Sequence, residues 1–214
     1  MITGASSGIG AIYADRLARR GYDLILVAGD LERLYALAAE ITDQTRCCVE
    51  TLAADLADKA DLSRVEAVLR TDASITLLLN NVGHDASDPA PTSCLAQVDA
   101  VIALQVRTPT RLAYALAPAF LARGVGTIIT IAARVAPGRE PLSGLYAACG
   151  AFMVNLSQSL HQELAPHGIR IQLVLPQLPA PDNWAMPFAY LQGGAATPLD
   201  RFVDAALAAL DQGR

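Results

Sequence analysis

Thr3-Gly4-Ala5-Ser6-Ser7-Gly8-Ile9-Gly10 is the stretch whose residue types and spacing best suit binding chemistry. Met1 and Ile2 lead into it, and Ala11, Ile12, Ala14, Leu17 and Ala18 lead out at helical spacing. A strand, a glycine turn and a helix N-terminus together make an anion site. Unpaired N–H groups point outward, the helix dipole adds partial positive charge, and missing Cβ atoms allow a pyrophosphate to come close. The order here is G-x-x-x-G-x-G rather than the commoner G-x-G-x-x-G. Small residues at such a turn also serve packing alone, so the elements around it must decide.

Those elements alternate. A helix over residues 8–20 ends at Gly21, and Asp23–Ala28 is an apolar run of the kind found in a strand buried on both faces. Asp30 caps a second helix with Leu31, Leu34, Leu37, Ala38 and Ile41 at helical spacing. Strands are expected at 47–53, 75–80, 126–132 and 169–175, and helices at about 60–70, 94–122, 145–165 and 199–211. The long pattern over 94–122 should be interrupted near Pro109 and Pro118. Residues 84–93 and 133–143 read as loops, and the Pro- and Gly-rich stretch 176–198 as a flap with a short helix near Trp184–Leu191.

Alternation of this kind predicts one α/β domain over 1–214, a three-layer doubly wound parallel sheet, Rossmann-like, with right-handed crossovers. Ligands of such sheets bind beyond the carboxyl ends of the strands. The glycine turn, Asp55, Asn81 and the end of the fifth strand all belong to that edge.

Composition narrows the function classes. The chain has 214 residues, 53 % of them hydrophobic and only 5 % aromatic, so its core is built from Ala, Leu, Val and Ile. A net charge of −5 offers no basic stripe for nucleic acid. No apolar run reaches the length of a membrane span, and no signal-peptide pattern opens the chain. Cys47, Cys48, Cys94 and Cys149 lack zinc-ligand spacing and read as reduced thiols of a cytoplasmic protein, with no metal site.

The glycine turn, Asp55-Leu56 after the third strand, Asn80-Asn81-Val82-Gly83 and Tyr146 opening the long helix together resemble, almost end to end, the short-chain dehydrogenase/reductase family, which has N-N-A-G where this chain has N-N-V-G. The resemblance implies a nicotinamide cofactor, NAD or NADP. Gly4, Ser6, Ser7, Gly8, Ile9 and Gly10 would hold its pyrophosphate, Asp55 and Leu56 its adenine, and Asn81, Val82 and Gly83 the adjoining ribose region. It also implies a small-molecule carbonyl or alcohol substrate, with Tyr146 as general acid/base. A homodimer or homotetramer is implied through the helices at 107–123 and 145–165.

The chemistry departs from the family's pattern. A Lys normally follows the Tyr by four residues, a Ser precedes it by thirteen, and a helix-borne Asn holds a relay water. Those positions are Gly150, Ala133 and Gln105. An ordinary tyrosine has a pKa near 10, so only about one in a thousand is ionised at pH 7. Without an adjacent cation that penalty stands. Loss of the Ser donor removes about 3 kcal/mol of transition-state stabilisation. The chain's only lysine, Lys59, belongs to the third helix region. Ser143, Arg134 and His84 are the nearest candidates for replacement, and each also reads as ordinary loop polarity.

Hydride transfer by the usual route is therefore expected to be weak or lost. The alternatives are a non-catalytic member that binds a ligand or partner subunit, or an isomerase or dehydratase using Tyr146 and His84. At the end of the second strand Ala28 and Gly29 replace the acid and the arginine that would choose between NAD and NADP, and Asp30 is the remaining acid there. Only Met1 and Ile2 precede the glycine turn, so the first strand is short, and no seventh strand is expected; a truncated or mis-started chain would look the same.

Overall fold

The computed structural model describes residues 1–82, 94–132, 144–176 and 198–213. Strands β1 (Ile2–Thr3), β2 (Leu24–Ala28), β3 (Val49–Ala53), β4 (Leu77–Asn80), β5 (Gly126–Ile131) and β6 (Ile169–Val174) alternate with helices. The helices are α1 (Gly8–Arg19), α2 (Leu31–Thr45), α3 (Lys59–Thr71), α4 (Leu95–Ile102), α5 (Thr108–Arg123), α6 (Gly144–Leu164) and α7 (Pro198–Asp211). The sheet has the order β3-β2-β1-β4-β5-β6. This is the doubly wound, three-layer arrangement, with a two-residue first strand and no seventh strand among the described residues.

The described residues group into two compact units, 1–55 with 198–213 and 56–176. In the first, β1 pairs in parallel with β2 in the register Ile2↔Leu26, and β2 with β3 as Leu24↔Val49. The shortness of β1 is offset locally. Past its last residue the Ala5 N–H donates to the Val27 carbonyl, which carries the ladder into the glycine turn. Tyr13, Leu26, Val27, Leu34 and Leu37 are fully buried there. Helix α7 joins α1 through Arg16, which donates to Asp200 (3.1 Å) and Asp204 (2.9 Å) and also meets the buried Asp15.

In the second unit β4, β5 and β6 pair in parallel, as Leu77↔Thr127 and Gly126↔Ile169. Leu78, Leu79, Ile129, Leu112 and Phe120 form its dry interior. Gly126 is required by packing rather than by its dihedral: a Cβ there would lie 2.2 Å from the Phe120 ring. Helices α3 and α5 are tied by Glu66, which accepts from Arg111 (2.8 Å at Nη2) and Arg70 (2.7 Å).

Two expectations are corrected. Pro118 does not interrupt its helix: α5 runs unbroken from Thr108 to Arg123. Pro118 and Tyr114 are both exposed, so the Tyr114 carbonyl that loses its partner can turn to water. Near Pro109 the interruption takes the form of a π turn, Ala103–Arg107, between α4 and α5. Strands β3 and β4 each begin two residues later than expected. Arg46 closes α2 in a left-handed conformation (φ 64°), leaving Cys47 and Cys48 ahead of β3. Asp72 accepts from the Ser74 N–H in a turn ahead of β4.

Candidate functional site

In the first unit, the glycine turn has the form an anion site needs. Gly4 (φ 60°) and Gly8 (φ 52°) occupy the left-handed region that a side chain disfavours. Ser7 stands at the N-cap of α1 in extended conformation, and its side chain makes no capping bond. The other helix starts in the described N-terminal half are closed. Asp30 accepts from the Arg33 N–H at the start of α2, and Asp58 from the Ala60 and Asp61 N–H groups at the start of α3. The first turn of α1 thus presents unsatisfied N–H donors, flanked by the partly exposed Ser6, Ser7 and Gly8. Ile9 and Gly10 point inward and are buried.

At the end of β2, Ala28 is buried and its carbonyl accepts from the Ala54 N–H, which holds the two strand ends level. Gly29 is exposed, with only the Ala54 carbonyl near the place a Cβ would take. Asp30 is committed twice to Arg33, through its cap bond and an ion pair of 3.2 Å. Capping, not ribose recognition, is the work its geometry shows. Asp55 is exposed at the end of the unit.

The second unit holds the other predicted residues. Leu56 is buried, and Asn81 and Val82 are half-buried just past β4. Tyr146 lies in the first turn of α6, 9 % exposed, and packs with Val101 of α4 and Cys149 one turn on, with Leu145 and Val106 at the edge of the cluster. Burial pushes the Cys149 thiol above its ordinary range, so it serves there as a neutral apolar group. Gly150 is buried on α6 and brings no cation. Lys59, exposed at the start of α3, sits beside the Asp58 cap. Gly83, His84, Ala133, Arg134, Ser143 and the flap lie outside the described residues, Trp184 among them.

Gln105 lies inside the π turn and is 7 % exposed. The turn has a sequence cause. Pro109 has no N–H to donate four residues back, and its ring crowds the carbonyl at that place, which belongs to Gln105. The ladder slips instead: the Thr108 N–H bonds the Ala103 carbonyl, five residues back. Local π turns of this kind occur frequently at functional sites. Here the turn keeps Val106 against the Tyr146 cluster.

Two residues not singled out from the sequence, Thr108 and Arg107, hold this turn in place together with Asn80 of the N-N-V-G motif. Thr108 Oγ1, fully buried, donates to the Leu56 carbonyl at 2.8 Å, and Arg107 donates to the Ala57 carbonyl. Asn80 Nδ2 donates to the Pro109 carbonyl at 3.2 Å. The one local signal for them was Pro109 itself, since a proline behind Thr108 marks a break in the ladder.

Comparison with known proteins agrees with this geometry. The sequence profile of the short chain dehydrogenase family matches residues 1–185. The structure of a short-chain dehydrogenase from Sphingobium yanoikuyae in complex with NADPH is 43 % identical and covers all of this chain and 84 % of its own, with a TM-score of 0.89. The bulky-bulky ketone specific alcohol dehydrogenase from Comamonas testosteroni is 39 % identical, covering 99 % of this chain and 82 % of its own, with a TM-score of 0.88. The very-long-chain 3-oxoacyl-CoA reductase of Coccidioides immitis is 32 % identical over 183 residues, 83 % of this chain. The chain spans about half the length of that curated relative (52 %). With its glycine turn, sheet order and Tyr146 helix in the family's sequence, the chain belongs to the short-chain dehydrogenase/reductase family and has the fold of its NAD(P)-binding oxidoreductases.

Proposed function

We propose that this chain is a single dinucleotide-binding domain that holds NAD(H) or NADP(H), and that hydride transfer to a carbonyl or from an alcohol is weak or lost in it. The observation that carries the binding reading is the first turn of α1, left without a side-chain cap behind glycines at φ 60° and 52°. Gly4, Ser6, Ser7, Gly8, Ile9 and Gly10 would take the pyrophosphate, Asp55 and Leu56 the adenine, and Asn81, Val82 and Gly83 the adjoining ribose, as the family's pattern implies. When bound, the nicotinamide supplies or accepts the hydride.

The chain's own part in the chemistry is the proton at the Tyr146 hydroxyl. Gly150 and Ala133 offer neither a charge to favour the phenolate nor a donor to the substrate oxygen. The same absence supports the second reading, a non-catalytic member that binds a ligand or partner subunit. Apolar exposure supports a homodimer or homotetramer through residues 107–123 and 145–165, since Tyr114 (53 %) and Leu121 (41 %) of α5 and Phe152 (44 %) of α6 face solvent in the single chain. No described helix is long and apolar enough to cross a membrane, and the four free cysteines suit a cytoplasmic setting.

Titration of the purified protein with NADH and with NADPH, followed by nicotinamide fluorescence, tests the reading. Saturable binding that disappears in Gly8→Asp is expected. That change puts a side chain at a left-handed position and a carboxylate among the N–H donors. No binding of either nucleotide at millimolar concentration would overturn it.

A further inference from the structure

The π turn at Ala103–Arg107 is held by bonds that reach well outside it. Three side-chain bonds join it and the start of α5 to one loop and one strand end distant in sequence. Thr108 Oγ1 and the Arg107 guanidinium grip the consecutive carbonyls of Leu56 and Ala57, and Asn80 reaches the Pro109 carbonyl from the end of β4. Thr108 is fully buried and Asn80 is 1 % exposed, so these bonds are shielded from competing water. The turn has two ladders to choose between. The Thr108 N–H bonds Ala103, whereas a regular α ladder would send it to Leu104. Pro109 sets the π register, and the Thr108 Oγ1 bond to Leu56 holds it.

The geometry points to Thr108 and Arg107 as positioning residues that couple the loop at Leu56-Ala57 to the π turn bearing Gln105. This rests on the proposed function, in which Leu56 and Asn81 border the nucleotide. Fixing those backbones on nucleotide binding fixes the carbonyls that Thr108 and Arg107 grip. The turn then tightens, and with it the Gln105 amide and the Val106 contact with the Tyr146 cluster. Communication runs through hydrogen bonds inside one compact unit and needs no domain movement.

Hydrogen exchange read by mass spectrometry on the full chain, with and without whichever of NADH and NADPH binds it, tests the coupling. Slower exchange of the amides at 103–107 on nucleotide binding is expected in the wild-type protein. Thr108→Val should bind the nucleotide about tenfold more weakly, in line with one orphaned buried acceptor, and should lose the added protection. Thr108→Ser should restore both. Arg107→Gln, at a half-buried position, provides the same reading should Thr108→Val fail to fold. Nucleotide binding without any change at 103–107, or equal protection in wild type, Thr108→Val and Arg107→Gln, would overturn the coupling while leaving the functional reading intact. If the wild type binds neither nucleotide, that reading falls and the coupling falls with it.

Discussion

Each compact unit has a carboxylate buried behind two arginines, and the two units part company where chemistry is concerned. In the first, Asp15 (side chain 3 % exposed) meets Arg16 and Arg19 of its own helix, and Arg16 continues to Asp200 and Asp204 on α7. In the second, Glu66 (2 %) meets Arg70 of its own helix and Arg111 of α5. The two proposed sites these frameworks carry differ in kind. The glycine turn keeps what an anion needs, because backbone N–H groups do the binding and only glycine geometry must survive. The Tyr146 half keeps its π turn and its packing, yet Gly150, Ala133 and Gln105 stand where side-chain chemistry would be.

The strongest way to break this contrast is to refill the second site. Ala133→Ser combined with Gly150→Lys should raise NADPH-dependent ketone reduction by about a hundredfold or more over wild type. A wild type that already matches the double variant in a steady-state assay would show that the Tyr146 half lacks nothing.

The equivalence of the frameworks can be tested by stability. Glu66→Ala leaves Arg111 and Arg70 without their acceptor. A loss of about 2–3 kcal/mol is expected, below the range for a fully buried pair because both arginines are half exposed. Thermal scanning should show the midpoint falling by roughly 5–10 °C.

The same carboxylate gives the second unit an acid response. Hydrogen bonds from Arg111 and then Arg70 hold Glu66 below the ordinary carboxylate range, and hydrogen bonds from Ser74 do the same for Asp72. Both pKa values are lowered on folding. Their stabilisation is therefore complete above the ordinary carboxylate pKa and is lost as pH falls through the depressed folded values. Urea midpoints measured from pH 6 downward should decline, and Glu66→Gln should flatten the decline.

Smaller effects sharpen the contrast at single positions. Gly126→Ala sets a methyl against the buried Phe120 ring and should cost about 1–3 kcal/mol, read as a lower urea midpoint with unchanged slope. Tyr13 in the first unit is fully buried with no partner for its hydroxyl among the described residues, and burial pushes its pKa up. Tyr13→Phe should therefore raise stability by up to about 1 kcal/mol. A lower melting temperature for that variant would place a polar partner at the hydroxyl.

Much of the fold was legible along the chain. Apolar runs bounded by Gly, Asp and Pro located β2 and β5 and the order of every described element, and the Asp30 cap was read from its place before a helical pattern. The starts of β3 and β4 were placed too early, because apolar or β-prone residues continue past the point where a turn takes over. Pro118 misled because its cost depends on whether the freed carbonyl faces water, which depends on which helix face is exposed. The shape of the glycine turn was legible because its requirements are local: Gly4 and Gly8 stand at the left-handed positions.

The sequence by itself determined the alternation of elements and the glycine turn, which depend on neighbours a few residues away, and it puts Gln105, Ala133 and Gly150 where the family's pattern has Asn, Ser and Lys. Only the tertiary structure decided that α1 begins uncapped and that the break before Pro109 becomes a π turn. It alone joined Thr108 to Leu56 and Asn80 to Pro109. A hydroxyl and a distant carbonyl carry no mark of each other in the chain. Their bond exists because burial brings them together and then makes leaving either one unpaired costly.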